Sequence, residues 1–474
     1  MSLRSVVTTL GAGLLLSCAV NPVTGHRELS LVSESQEIQM GRDGAESVVN
    51  TIGLYPDSSL QEYVSDLGMR LARASERPQL PWSYAVVNDP VVNAFALPGG
   101  FIFVTRGILA HLNSEAELVS VLGHETGHVT AKHSVSQISK AQLAQLGLGV
   151  GSILTPRLDF LHQVAGSGLQ VLFLKFSRDD ETQADDLGFR YMVRAGYDPR
   201  QATDVFETLD RVGGGGRIPE WQSTHPSPEH RVVRSRERAA TIADPSTLTV
   251  GRNRYLRHID GMVFGDNPRE GYFEGEVFHH PDLRFRLVFP AGWKTRNLAQ
   301  AVIAVSPSQD AIIQLSLVAA DSPRAAADRF FSEAGLQQDA ASSESIGGFP
   351  ADRRYFTVAT QQGTIRGIVA HVAYGGSIYR LLGYSTRRTF GTYNPVLTRT
   401  IDSFGRETSR SVLKVQPARI KLVKVPRRMT LEEFNRRYPS SVAVEQVALI
   451  NGLEVGSAVA RGTLVKRVVG GPGG

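Results

Sequence analysis

Apolar positions along the chain follow two rhythms, and the change between them divides it. From about residue 35 to 245 the rhythm is mainly helical. "SSLQEYVSDLGMRLARAS" puts Leu60, Tyr63, Val64, Leu67 and Leu71 on one helical face. In the same region "WSYAVV" and "FIFVTR" read as strands, the second preceded by the turn-forming "LPGG". "GGGG" at 213–216 is a flexible break. From about 270 to 405 strands take over in "LRFRLVFP", "AIIQLSLVAA", "RRYFTVAT" and "IRGIVAHVAYGGSIYRLLGYS", with "SPRAAADRFFSEAG" as a helix between them. That pattern predicts a separate α+β domain. Residues 411–474 make a third, basic segment, with 11 Lys+Arg against 4 Glu. The expected fold class is multidomain: a mainly α-helical domain with a small β-sheet, then an α+β domain, then a small α/β module.

Composition changes this picture little. A chain of 474 residues is long enough for two to four domains. Hydrophobic content of 42% and charged content of 20% are globular rather than disordered. A net charge of +5 is mildly basic and does not by itself point to nucleic acid, so no nucleic-acid partner is expected.

The N-terminus reads as a targeting segment. Arg4 precedes an apolar run ending in "GAGLLLSCAV", which predicts a secretory signal peptide over 1–17. Cys18 is the single cysteine and has no partner for an internal disulfide. "LLSC" resembles a bacterial lipobox, which implies a lipidated Cys18 as the mature N-terminus. An ordinary signal peptide with a chance cysteine is the alternative. Ala19 is not the aspartate that would suggest retention at the inner membrane, so the expected location is periplasmic, anchored to the outer membrane. Residues 18–34 are turn-rich and read as a tether. No later stretch reaches the ~20 apolar residues that span a bilayer.

The candidate chemistry lies in "VLGHETGHVTAKH", 121–133. Ser114-Glu115-Ala116-Glu117 fits a capping box and predicts that a helix begins there. Leu118, Val121, Leu122 and Val129 would be its buried stripe. His124 and His128 stand one turn apart and project from one side, a spacing that suits one divalent zinc ion. Glu125 would point beside the metal and take a proton from the water there, whose pKa the metal lowers to roughly 7. Gly123 and Gly127 suggest close packing of another helix or close approach of a substrate. Two histidines that merely share a helix would show the same pattern, so a third ligand decides. "SRDDETQADDLG", 177–188, offers Glu181 as that ligand, with Asp185 one turn on to hold the outer nitrogen of a ligand histidine. A solvated acidic helix face is the alternative.

These motifs, with "NAFALPGGFIFVTRG" at 93–107 and "THPSPEHR" at 224–231, resemble the gluzincin metallopeptidase family of HtpX and CAAX prenyl endopeptidase relatives. The nearest branch is the soluble periplasmic, BepA-like lipoprotein one, and the resemblance covers about 20 to 245. It implies a zincin domain at 35–245 with one Zn2+ on His124, His128 and Glu181, and Glu125 as general base and then proton donor. It also implies an edge strand at Gly99, Gly100, Phe101, Ile102 and Phe103 on which an extended substrate pairs, the glycines letting its backbone come close. His225 would be a fourth ligand in a latent state, or shape the pocket without touching metal. Arg231 would pair with a carboxylate or polarise a substrate carbonyl. His133, five residues past His128, should point elsewhere on the helix. The implied substrates are unfolded or misassembled envelope proteins.

The apolar stretch 142–161 reads as core or a lid. The 270–405 domain is weakly similar to PsbP and Mog-like folds and reads as a binding or spacer module. The last segment resembles a LysM module in "TLEEFNRRY", "LINGL" and "RGTLVKRV", with Arg428-Met429 in place of the usual Gly-Asp. Peptidoglycan or an anionic envelope surface are its possible partners. An envelope binding or chaperone-like lipoprotein with a largely silent zinc site is the alternative to a protease.

Overall fold

The structure, a computed structural model, describes residues 18–25, 27–145, 175–213, 225, 228–332, 336–360 and 363–471. The signal segment at 1–17, most of the 142–161 stretch and the break beyond Gly213 lie outside the described residues. No helix among the described residues is long and apolar enough to cross a membrane.

The first unit is built around one helix, Glu115–Thr130, which is buried along its whole length. A one-sided stripe was expected. Burial all round follows because helices and sheet surround it, and its sequence is apolar enough to allow this. Ser114 caps it by accepting a hydrogen bond from the Glu117 backbone N–H. The Glu117 carboxylate reaches past the cap to the Asn113 N–H, 2.7 Å away. Helix Ser58–Ala74 buries Leu60, Val64, Leu67 and Leu71 in the same core, as its spacing predicts, while Tyr63 stays at the margin.

A three-stranded sheet lies beside the central helix. Its middle strand is Phe101–Thr105, paired in parallel with Ser83–Val87 and antiparallel with Ala94–Leu97. Phe101, Ile102 and Phe103 are therefore not on an edge, because both sides of their backbone are already paired. The glycines before them serve the chain's own packing. Gly99 has φ +75, and a Cβ there would come within 2.7 Å of Ile38 Cα. A Cβ on Gly100 would meet Trp82 at 3.2 Å.

The stretch read as a tether is folded. Cys18–Val20 pairs antiparallel with Arg27–Leu29. Asn21 is buried and donates to the Ala131 carbonyl at 3.3 Å. At the other end the core runs past residue 245: Tyr255, Leu256, Ile259, Met262 and Val263 all join it.

The second unit holds a seven-stranded antiparallel sheet, with helices Pro323–Phe331 and Phe390–Asp402 against it. The second helix carries Pro395 in its interior, a residue that works against a helical reading of the sequence. The third unit pairs Arg419–Lys424 with Leu464–Val469, and helices Leu431–Arg437 and Val444–Ile450 lie between them in the chain. It does not hang free. Ile420 lies in the core of the first unit, and Lys466, wholly buried, donates to the carbonyls of Ala110 and Leu112 at 2.9 and 2.7 Å.

Candidate metal centre

Two helices bring the site together. Glu115–Thr130 packs closely on Arg178–Arg194 where glycines face backbone. A Cβ on Gly123 would lie 3.2 Å from Gly188 Cα, one on Gly127 would lie 2.9 Å from the Ala184 carbonyl oxygen, and one on Gly188 would lie 2.9 Å from the His124 nitrogen. Of the two roles open to Gly123 and Gly127, close helix packing is the one observed. Ala184 and Gly188 lie three and seven residues past Glu181, so the face that touches the HExxH helix also carries Glu181 and Asp185. A capping box, at Ser177 and Asp180, starts this helix.

At the contact, His124, His128, Glu181 and His225 converge, with one nitrogen or oxygen of each within 4.8 Å of the others. All four are buried. His124 Nε2 lies 3.0 Å from His128 Nε2 and 3.3 Å from His225 Nδ1. Glu181 Oε1 lies 2.8 Å from His225 Nδ1 and 3.4 Å from His128 Nε2. A tetrahedral zinc ion with bonds near 2.0–2.1 Å has edges of roughly 3.3–3.4 Å between its ligand atoms, so the spacing and the donor types both fit. Two bare imidazole nitrogens facing each other at 3.0 Å need a proton or a cation between them.

Charge at the site favours a cation. Burial holds His128 well below its ordinary pKa, so its ring is neutral and able to ligate. Burial would raise Glu181, but His225 and the hydrogen bonds from His124, His128 and His225 outweigh it and hold the carboxyl well below its usual range. Burial and Arg231 oppose protonation of His124, yet Asp185 and Glu181 push it up to about 9. The negative field that retains a proton there equally suits a metal ion.

The remaining predicted residues surround this group. Asp185 Oδ1 lies 2.8 Å from His124 Nδ1, the role its spacing suggested. Arg231 grips Asp185 with two hydrogen bonds of 2.6 and 2.9 Å and stacks over Phe206 at 4.4 Å, so its engagement with a carboxylate is the observed one. The Glu125 carboxylate is 1% exposed, and neither of its oxygens has a hydrogen-bond partner among the described residues. Burial raises its pKa. His225 Nε2 lies 3.7 Å from Glu125 Oε1.

His133 departs from expectation. The helix ends at Ala131, and Lys132 takes the left-handed conformation with φ +60. This turn swings His133 back until its Nδ1 lies 2.9 Å from His128 Nδ1. The ring of Phe176 covers His128 with centroids 4.1 Å apart.

Residues 58–239 match the sequence model of Peptidase family M48. This stretch is an M48 peptidase domain. Over 223 residues the chain is 34% identical to the mitochondrial metalloendopeptidase OMA1 of Schizosaccharomyces pombe, covering 46% of this chain and 65% of that protein. Over 244 residues it is 30% identical to the beta-barrel assembly-enhancing protease of Escherichia coli K12, covering 50% of each. The chain thus spans less than two thirds of the length of either relative. Among solved structures, cyanobacterial PsbP from Synechocystis sp. PCC 6803 covers 28% of this chain and 94% of its own, at 11% identity and a TM-score of 0.24, too low to carry an argument. The M48 domain contains every residue of the convergent group and leaves the second half of the chain outside the match.

Proposed function

We propose that this chain is a zinc metalloendopeptidase of the bacterial cell envelope, held at the outer membrane through a lipidated Cys18. Its substrates would be misfolded or misassembled envelope proteins, a reading supported by the name of the E. coli relative. The observation that carries the activity is the convergence of His124, His128, Glu181 and His225 beside a buried Glu125 with no hydrogen-bond partner among the described residues. A purely structural metal site has no use for such a carboxylate.

In this reading His124, His128 and Glu181 hold one zinc ion. When bound, the ion would supply Lewis acidity to water and to the substrate carbonyl. Glu125 takes the proton from the attacking water and returns it to the leaving amine. An extended substrate pairs on Ala94–Leu97, an outer strand of the sheet that packs toward the HExxH helix. His225 is the fourth ligand of a latent state and leaves before water enters. The binding-protein alternative retains one supporting observation, since His225 stands as a fourth possible ligand beside His124, His128 and Glu181.

Zinc content and casein cleavage of the purified protein, beside Glu125→Gln and His225→Ala, test this reading. Zinc in all three is expected, with cleavage lost in Glu125→Gln and raised several-fold in His225→Ala. Zinc without cleavage in either the parent or His225→Ala would favour the binding protein. Absence of zinc from the parent would sink the site.

A further inference from the structure

Two anchors of different chemistry stand behind the two histidines of the HExxH pair. His124 leans on a carboxylate, Asp185. His128 leans on another histidine, His133, which is 3% exposed and comes from the start of the next helix, His133–Gln145. Beyond it, His133 Nε2 lies 2.9 Å from Gln183 Oε1 and 3.7 Å from Asp180 Oδ1. Both of those oxygens are acceptors, and both sit on the helix that carries Glu181.

We propose that Gln183 and His133 form a proton-fixing relay that sets the tautomer of His128. Only one hydrogen fits between two imidazole nitrogens 2.9 Å apart. Gln183 Oε1 can only accept, so the His133 proton stands on Nε2. A neutral His133 then presents a bare Nδ1, and the shared proton belongs to His128 Nδ1. That leaves His128 Nε2 with its lone pair aimed at Glu181 and His124, the form a metal requires. His133 and Gln183 are thus positioning residues. The relay rests on the reading of the cluster as a zinc site, but its first consequence, the His128 tautomer, exists without metal.

The left-handed turn at Lys132 is what this arrangement needs. In an unbroken helix a residue five past His128 sits about 140° around the axis and cannot face it. A non-glycine residue with positive φ is costly and persists only where its surroundings hold it. Here Lys132 Nζ also lies 3.7 Å from Glu37 Oε2.

The first test is nitrogen-15 NMR on metal-free parent protein with labelled histidine. Protonation of His128 on Nδ1 and of His133 on Nε2 is expected, and an Nε2-protonated His128 would overturn the relay. The second is zinc affinity by chelator competition. His133→Phe keeps the volume and removes the acceptor, and it should weaken zinc ~10–100-fold, the range for residues that orient a ligand. Gln183→Met should also weaken it, while Gln183→Glu keeps an acceptor and should stay within about twofold of the parent, a rescue that a packing role does not provide. Native affinity in a folded His133→Phe, or equal loss in both Gln183 variants, would overturn the proposal. A parent that takes up no zinc would remove the proposed function, and the relay would then stand or fall on the tautomer alone.

Discussion

Arg231 lies 3.2 Å from His124 Nδ1 and grips Asp185 beside it, and its geometry separates two jobs it could do. A guanidinium held by two hydrogen bonds to Asp185 fixes that carboxylate, and through it the His124 ring. Lysine keeps the charge but not the planar fork. Arg231→Lys should therefore weaken zinc binding by about tenfold, the lower range for residues that orient a ligand, with a parallel loss of activity. Chelator competition measures the first and peptide hydrolysis the second. If zinc affinity holds while kcat falls, Arg231 would instead be acting on the substrate carbonyl. Most of this group was legible in the sequence, because His124 with His128, and Glu181 with Asp185, follow the four-residue spacing of a helix. His133 was not legible, since that spacing holds only until Lys132 breaks the helix, and nothing in "TAKH" announces a left-handed lysine.

Helix contact, rather than any single ligand, sets the distance across the site. Gly188 has no room for a methyl group: its Cβ would press on the backbone of His124, which cannot swing aside as a side chain can. Gly188→Ala should cost about 1–3 kcal/mol, as overpacking of a close-packed contact does, and should lower zinc affinity as well by moving Glu181 away from His124. Gly391 is the control, since a Cβ there meets nothing within 4 Å and alanine favours the helix. Thermal unfolding with a zinc titration compares the two. Equal effects at both positions would remove the argument. The sequence shows that Gly123 and Gly127 must meet something close, and the structure identifies the second helix. It does not show which strand lies in the middle of a sheet. "FIFVTR" and "AFAL" are each consistent with either place, and only the pairing of Phe101–Thr105 on both sides decides. The helix at Phe390–Asp402 escaped notice for a simpler reason, the proline inside it.

On the scale of the whole molecule, the last module is bonded to the segment just before the HExxH helix. Composition marks residues 411–474 as a separate basic segment but says nothing of docking, because Lys466 resembles any surface lysine until its burial is known. In place, its Nζ donates to the carbonyls of Ala110 and Leu112, just before helix Glu115–Thr130. Arg211 donates to Leu453 and Arg252 to Leu464 across the same boundary. Lys466→Ala would leave two buried carbonyls without that donor and open a cavity, a loss of about 3 kcal/mol or more. Separate unfolding of the last module in calorimetry is the expected sign, and a single unchanged transition would contradict it.

His111 makes the same boundary sensitive to acid. Its Nδ1 lies 2.8 Å from the Gly107 carbonyl, and its Nε2 lies 3.4 Å from Gln446 of the last module. Burial, with Lys466 nearby, pushes its pKa down from 6.5 to about 4 against the pull of that carbonyl. The unfolded chain therefore binds a proton below about pH 6.5 that the folded chain refuses until about pH 4, and stability falls as pH drops through that window. Replacing His111 with glutamine should flatten this part of the stability profile while leaving the value at pH 8 less affected. Denaturant midpoints of the two proteins between pH 4 and 8 decide the matter: parallel curves would mean that His111 contributes nothing to the acid sensitivity of the docked form.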